Sequence, residues 1–267
     1  MIREMLDAAP LFLLLAARAL ALIETSPLLS SEANPQVARV ALAGFAAYAA
    51  FPAAAAVNAS GLEIFSLSFV FLLIGEAVIG IIMGFFVTII FSAFSTAGQF
   101  FSLQMGFGAS ETFDPLAQIE NPLMGQYLNL VAMLVFLTLN GFSQLFLGGF
   151  WRSVQSLSVL ALVQGRETAL GMLLAGLSRL FLDAMVISLP ILGTLFLTSL
   201  STGLISKAAP QINILTEGFP ISISVAFILI LATMRFMLET FGRVVNAGFS
   251  AIQDLYIRIG LVIGGGA

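Results

Sequence analysis

The chain has 267 residues, of which 60% are hydrophobic and only 9% are charged, with a net charge of −4. Soluble domains carry about 25% charged residues, so this composition predicts an integral membrane protein. Cysteine and histidine are both absent, which removes disulfides, thiolate and imidazole metal sites, thiol nucleophiles and the commonest general acid or base. No basic patch indicates nucleic-acid binding, and neither a cofactor nor a metal is expected.

The first apolar segment, residues 8–23, has two features that argue against a cleaved signal peptide. The residues before it, Arg3, Glu4 and Asp7, are net acidic, whereas signal peptides begin with a basic region. Arg18 also interrupts the apolar run. We therefore expect a helix that is retained in the mature protein.

Six apolar segments follow one another and predict an all-α, polytopic membrane protein that forms a single domain over residues 1–267. They are residues 8–23, 37–57, 64–98, 123–151, 168–206 and 214–238. A helix that crosses a bilayer needs about 20 residues, so the third and fifth segments are too long for one simple crossing. The third, 64–98, either breaks or projects into a protein partner. The fifth contains Pro190, which removes an amide donor and clashes with the preceding turn, and it is expected to be a kinked pair of helices.

Two further stretches are expected to face protein. Segment 37–57 has 11 alanines among its 21 residues, and small side chains let helices approach closely. The tail, residues 239–260, is amphipathic and has acid-first pairs at i,i+4, Glu239 with Arg243 being one. Membrane-surface helices are usually rich in Lys and Arg, whereas this tail is balanced in charge. We expect it to lie at an interface or to dock on a partner, with a protein partner favoured.

The distribution of basic residues predicts the orientation in the membrane. If there are six crossings, Arg39 and Lys207 fall on one side, and five arginines fall on the other: Arg3, Arg152, Arg166, Arg243 and Arg258. The positive-inside rule then places both termini in the cytoplasm.

Four charged residues lie inside apolar segments: Arg18, Glu76, Arg179 and Asp183. Such charges are costly and mark functional sites by default. Arg179 and Asp183 share a helix face at i,i+4, and an ion pair buried between helices is preferred over a proton relay. Glu76 shares a face with Gly80 and Gly84, the ends of the small-xxx-small motif GIIMG. For Glu76 a subunit contact is preferred over a proton-carrying role, and an ion-coupled secondary transporter is the alternative function.

A Gly-rich acidic stretch, QMGFGASETFDPLAQIENPLMG, spans residues 104–125 between two apolar runs. Its glycines give the backbone freedom, while Pro115 and Pro122 block helix continuation. Irregular backbone at membrane depth is tolerated only inside protein or along a watery cavity, where Phe107 and Phe113 can close a passage by packing. An ordinary extramembrane loop is the alternative, and physical arguments alone favour it.

Three motifs, in this order, resemble the FliR family of type III protein export-gate subunits: QMGFGASETFDP, NPLMGQYLNLVAMLVFLTLNGF and GLISKAAPQINILTEGFPISI. GEAVIGIIMGFF fits the same family, so the resemblance covers roughly residues 60–235. It implies a structural subunit of a helical export-gate ring at the flagellar basal body in the bacterial inner membrane. It also implies assembly with FliP-type, FliQ-type and FlhB-type subunits, and the passage of unfolded flagellar export substrates. Most of that ring stands above the membrane plane, which would explain helices too long for a bilayer.

The resemblance also implies that the Gly-rich stretch plugs the closed channel. Its plug motif comprises Met105, Gly106, Phe107, Phe113, Asp114 and Pro115, and the later AAPQIN motif contains Pro210, Gln211 and Asn213. This chain departs from many members at Phe142, where they have a histidine after Asn-Gly. The expected protein is not an enzyme, since no phosphate-binding Gly-Lys motif and no paired arrangement of carboxylates is visible.

Overall fold

In the computed structural model, the described residues are 2–31, 34–57, 66–106, 123–208 and 214–264, and every regular element among them is a helix. The predicted all-α class is therefore confirmed. In chain order the elements are α1 Ile2–Thr25, α2 Gln36–Val57, α3 Leu67–Met105, α4 Leu123–Thr138, α5 Gly141–Ser143, a π-helix at Gln144–Trp151, α6 Arg152–Ser156, α7 Val159–Gln164, α8 Arg166–Ala208 and α9 Ile214–Gly264.

Within the described ranges, four helices are long and apolar enough to cross a membrane: α2, α3, α8 and α9. A fifth crossing is obtained if residues 123–156, which bend by 74°, count as one broken span. The sequence predicted six segments of this kind. The sequence predicts that the third segment either breaks or projects into a protein partner. It does not break, because α3 is a single helix of 39 residues, and its projection into a partner stays a prediction.

Pro190 lies inside α8, which is one continuous helix, so the segment is not divided into two helices. The kink expected at Pro190 stays a prediction. Hydroxyl groups near the proline bond to backbone carbonyls. Ser188 Oγ donates to the Met185 carbonyl at 3.3 Å and Thr194 Oγ1 to the Pro190 carbonyl at 3.0 Å. The carbonyl that loses its usual donor at a proline is the one four residues earlier, here that of Val186, and neither hydroxyl bonds to it.

The fourth apolar segment is not one continuous helix, contrary to prediction. Helix α4 ends at Thr138, and Asn140 takes a left-handed conformation with φ 54°. Asparagine tolerates this conformation far better than residues with a larger side chain. The dipeptide Asn140-Gly141 is a turn signal, so the break was readable in the sequence.

The chain forms two compact units, each built from separate stretches. Unit 1 contains residues 1–89, 140–177 and 246–267, and unit 2 contains residues 90–139 and 178–245. Because the units interleave along the chain, no single cut separates them into consecutive domains. The description of residues 1–267 as one integral-membrane domain stays a prediction.

In unit 1 the alanine-rich helix α2 packs against α1, as the abundance of small residues predicts. Four alanines of α2 at helical spacing are buried: Ala43, Ala47, Ala50 and Ala54. The GIIMG motif of α3 also faces α1. A Cβ atom at Gly80 would overlap the Arg18 carbonyl oxygen, and one at Gly84 would lie 2.9 Å from the Leu22 carbonyl oxygen. Backbone contact between α1 and α3 is thus possible only because both positions are glycine.

The core of unit 2 is aromatic. The rings of Phe91 and Phe136 lie 5.5 Å apart, and those of Phe94 and Phe241 lie 4.3 Å apart. Close packing of α3 on α4 again depends on glycine, since a Cβ atom at Gly98 would come within 2.6 Å of the Cα atom of Gly125.

The amphipathic tail is the second half of the 51-residue helix α9. Its apolar stripe is buried inside this chain: Phe241, Val245, Phe249, Ile252, Tyr256 and Ile259. The chain itself covers this stripe, so the stripe is not free to dock on a partner. The expected position of the tail, at an interface or on a partner, stays a prediction. Periodicity shows that a helix has an apolar face but not what packs against that face.

A pair of matched substitutions in the tail tests this burial. Ile252 is 1% exposed and Ile257 is 60% exposed. Ile252→Ala should lower the free energy of unfolding by about 2–5 kcal/mol, because it leaves a cavity. Ile257→Ala should change it by less than about 0.5 kcal/mol. Reversible unfolding of the detergent-solubilised full chain measures both values, and equal losses would contradict the packing described.

Candidate functional site

Two residues of the predicted plug motif, Met105 and Gly106, are among the described residues. Met105, the last residue of α3, is fully buried, and Gly106 follows it with φ +92°. Phe107, Phe113, Asp114 and Pro115 lie outside the described residues, as do Pro210, Gln211 and Asn213 of the AAPQIN motif.

Gly106 is the point at which the chain leaves α3. Its amide donates to the Leu103 carbonyl at 3.1 Å, which closes the last turn of the helix. The ring of Phe219, near the start of α9, packs directly on Gly106, and a Cβ atom there would overlap that ring. The positive φ and the close ring both require glycine at this position. Two distant motifs, the Gly-rich stretch and GFPISI, thus meet at this contact.

The second candidate site is a cluster of polar side chains inside unit 1, centred on Arg18. The Arg18 side chain is almost completely enclosed, with a residue exposure of 2%. Its Nε donates to Glu76 Oε2, its Nη1 to Ser153 Oγ at 3.1 Å and its Nη2 to the Leu157 carbonyl at 3.0 Å. Buried charges are stable only when they are paired and hydrogen-bonded, and this guanidinium meets both conditions.

Glu76 therefore has a partner within its own chain. Its side chain is 13% exposed and forms an ion pair with Arg18. The sequence predicts a subunit contact or a proton-carrying role for Glu76, and neither expectation names Arg18 as its partner. One signal pointed to the pair: away from the ends of the apolar segments there are two acidic and two basic residues, and Arg179 already has Asp183 at i+4, which leaves Arg18 for Glu76.

Two members of this part of unit 1 were missed from the sequence. Ser153 accepts from Arg18 and donates to the Phe150 carbonyl at 2.7 Å. The hydroxyl of buried Tyr256 in α9 lies 3.0 Å from the Gly149 carbonyl, to which it donates, and 2.9 Å from Met83 Sδ. A lone serine and a lone tyrosine carry no pattern that would distinguish them from other core residues.

Arg179 and Asp183 are placed in unit 2, on helix α8. Arg179 Nε lies 3.6 Å from Asp183 Oδ2, and the arginine side chain is 65% exposed. This chain alone does not enclose the pair between helices. It is separate in sequence and in unit from the Arg18 cluster.

Among the residues whose side chains are described, no group of three or more carboxylates could hold a metal ion. The chemistry available at the Arg18 cluster is hydrogen bonding and charge pairing, since its groups are one cation, one carboxylate, two hydroxyls and backbone carbonyls.

Comparisons with known proteins agree with the sequence motifs. Residues 9–248 match the family profile of the bacterial export proteins, family 1. The chain is 28% identical over 260 residues to the flagellar biosynthetic protein FliR of Bacillus subtilis, which covers 97% of this chain and 99% of that protein. It is 29% identical to the FliR of Escherichia coli over 92% of both chains, and 36% identical to the FliR of Borreliella burgdorferi over 61% of both chains.

The profile covers far more than half of the sequence, and two of the three relatives align along more than nine-tenths of the chain. Together with the all-α architecture of long apolar helices, this shows that the chain belongs to family 1 of the bacterial export proteins.

Proposed function

We propose that this chain is a structural subunit of a flagellar type III protein export gate, located in the bacterial inner membrane at the flagellar basal body. The observation that carries the proposal is the near full-length match to proteins named flagellar biosynthetic protein FliR. The subunit is not an enzyme: energy for export comes from other components, because the chain has no phosphate-binding loop.

Partner subunits of the FliP, FliQ and FlhB types complete the channel in this proposal. The support is the amount of apolar side-chain surface that the chain leaves uncovered. On α2, for example, the face opposite α1 exposes Phe45 and Tyr48, and Gly44 has no neighbouring atom within 4 Å of a Cβ position. An alanine-rich helix offers little hydrophobic area to lipid and suits close helix packing, so a neighbouring subunit is the environment that fits it.

In the same proposal the Gly-rich stretch plugs the closed channel, and Phe107 and Phe113 seal it by packing. The support from the described residues is the base of the stretch. Gly106 gives the backbone a sharp exit from α3, and Phe219 fixes the position of that exit. Unfolded flagellar proteins pass when the plug is displaced.

The alternative, an ion-coupled transporter, has less support. Its principal residue, Glu76, already forms an ion pair with Arg18 inside the chain, which suits a structural role.

Assembly is the first test of the proposed function. When the chain is co-expressed with FliP-type and FliQ-type subunits, native mass spectrometry of the detergent extract should show a mixed complex with one copy of this chain. Expression of the chain alone is the control. A monodisperse monomer that binds neither partner would contradict the export-gate assignment.

Sealing is tested in the assembled complex, reconstituted in liposomes. Deletion of residues 107–115, or the pair Phe107→Ala and Phe113→Ala, should leave the complex intact and raise its permeability to small ions, because the packing that closes the passage is lost. Phe181→Ala, at an exposed phenylalanine of α8, is the matched control and should not leak. If the deletion leaks no more than this control, the stretch is not the plug.

Two glycine substitutions test the base of the stretch. Gly106→Ala should cost about 1–3 kcal/mol of stability, because alanine must adopt a positive φ and displace Phe219. Gly193→Ala, inside α8 with no atom near its Cβ position, should stabilise the chain slightly or have little effect, since alanine favours helix. The free energies of unfolding of the two purified variants are the measurement, and equal changes in both would refute the proposed requirement for glycine at position 106.

A further inference from the structure

The stretch from Asn140 to Ser158 leaves regular α-helical geometry three times. Asn140 is left-handed, residues 144–151 form a π-helix, and Leu157 is extended with φ −122° and ψ 104°. Each departure frees backbone carbonyls from the usual i to i+4 pattern. In apolar surroundings an unsatisfied carbonyl is expensive, so such groups require donors from elsewhere.

Side chains from two distant helices donate to carbonyls at the two later departures. In the π-helix the side chain is a second donor, since the Gly149 carbonyl also accepts the Arg152 amide, whereas at Leu157 it is the arginine that supplies the donor. Tyr256 of α9 donates to the carbonyl of Gly149 in the π-helix, and Arg18 of α1 donates to the carbonyl of Leu157, at 3.0 Å in each case. Both donors are buried, and both belong with their acceptors to unit 1.

The directions of the Arg18 hydrogen bonds show that neutralising Glu76 is not its only task. A guanidinium has its donors in a planar fork, and here Glu76 takes only the Nε branch. The two terminal nitrogens point to Ser153 Oγ and to the Leu157 carbonyl, at the two ends of the short turn that closes α6. Two of the three hydrogen bonds thus go to this turn, and one goes to the carboxylate.

We propose that Arg18 is a positioning residue that caps the carbonyl end of α6 at Leu157 and so fixes the break between α6 and α7, with Glu76 as its counter-ion. This role is independent of the proposed export function. In this proposal Arg18 is buried because of its hydrogen bond to the Leu157 carbonyl, and Glu76 is buried to neutralise Arg18.

The test uses the full chain in lipid nanodiscs and follows amide hydrogen exchange by mass spectrometry. The variants are Arg18→Met, the double variant Arg18→Met with Glu76→Met, and Arg18→Lys. The peptide covering residues 153–162 reports the break, and a peptide from α4 in unit 2 reports global unfolding. Arg179→Met, at the exposed arginine of α8, is the matched control.

If Arg18 is a cap, exchange in residues 153–162 accelerates by about tenfold or more in Arg18→Met, as expected for the loss of hydrogen bonds to a charged donor, while α4 is unaffected. Exchange in the double variant does not return to the wild-type rate, because the Leu157 carbonyl still lacks its donor. Exchange is also faster in Arg18→Lys, because one ammonium group cannot reach Glu76, Ser153 and Leu157 together. The Arg179→Met control matches the wild type.

Wild-type exchange in the double variant would overturn the proposal, because Arg18 would then serve only to neutralise Glu76. Wild-type exchange in Arg18→Lys would overturn it too, since positive charge alone would then suffice. These two variants each keep the buried charges balanced, so they carry the test even if Arg18→Met does not accumulate.

Discussion

Backbone carbonyls buried in an apolar environment must find donors within the protein, and the irregular stretch after α4 shows how this chain meets that requirement. Its departures from α geometry would be unstable alone. Tyr256 and Arg18 reach it from α9 and α1 and bond the carbonyls of Gly149 and Leu157. Once a guanidinium is buried for this purpose, a carboxylate must accompany it, and α3 provides Glu76. The carbonyl at Leu157 therefore accounts for the burial of Arg18 and, through Arg18, of Glu76.

A second constraint is the distance between helix backbones. Glycines lie where helices approach closely. Gly80 and Gly84 of α3 face α1, and Gly98 of α3 packs against Gly125 of α4. Hydrophobic burial does not drive association between helices surrounded by lipid, so dense contact and hydrogen bonding must do so. Contact between α1 and α3 also brings Arg18 within reach of Glu76. Small residues thus determine where the polar groups can meet.

The sequence predicted the helical class and the family correctly, because apolar segment length and ordered motifs are local properties. It predicted a helix over the first apolar segment and the packing role of the α2 alanines for the same reason. It did not predict what depends on tertiary contacts: α8 runs undivided through Pro190, and the chain itself covers the apolar stripe of the tail. The turn at Asn140 had a sequence signal that was outweighed by the apolar character of its surroundings.

The candidate site was predicted only in part, for a related reason. Arg18 and Glu76 stood out as charges in apolar segments, but their pairing depends on a crossing of two helices that no periodicity reveals. Nothing in the sequence distinguishes Ser153 and Tyr256 from other core residues, because their roles depend on where the Phe150 and Gly149 carbonyls lie.

The separation of these groups along the chain has a consequence for biosynthesis. Arg18 precedes Glu76 by 58 residues and Leu157 by 139 residues. Ribosomes add about 5–20 residues per second, so the first helix waits on the order of 3–12 s for Glu76 and longer for the carbonyl that it caps. During this interval its guanidinium must be hydrated or held at the membrane surface. Helix α1 therefore reaches its final hydrogen-bonded position only after the chain up to Leu157 has been synthesised.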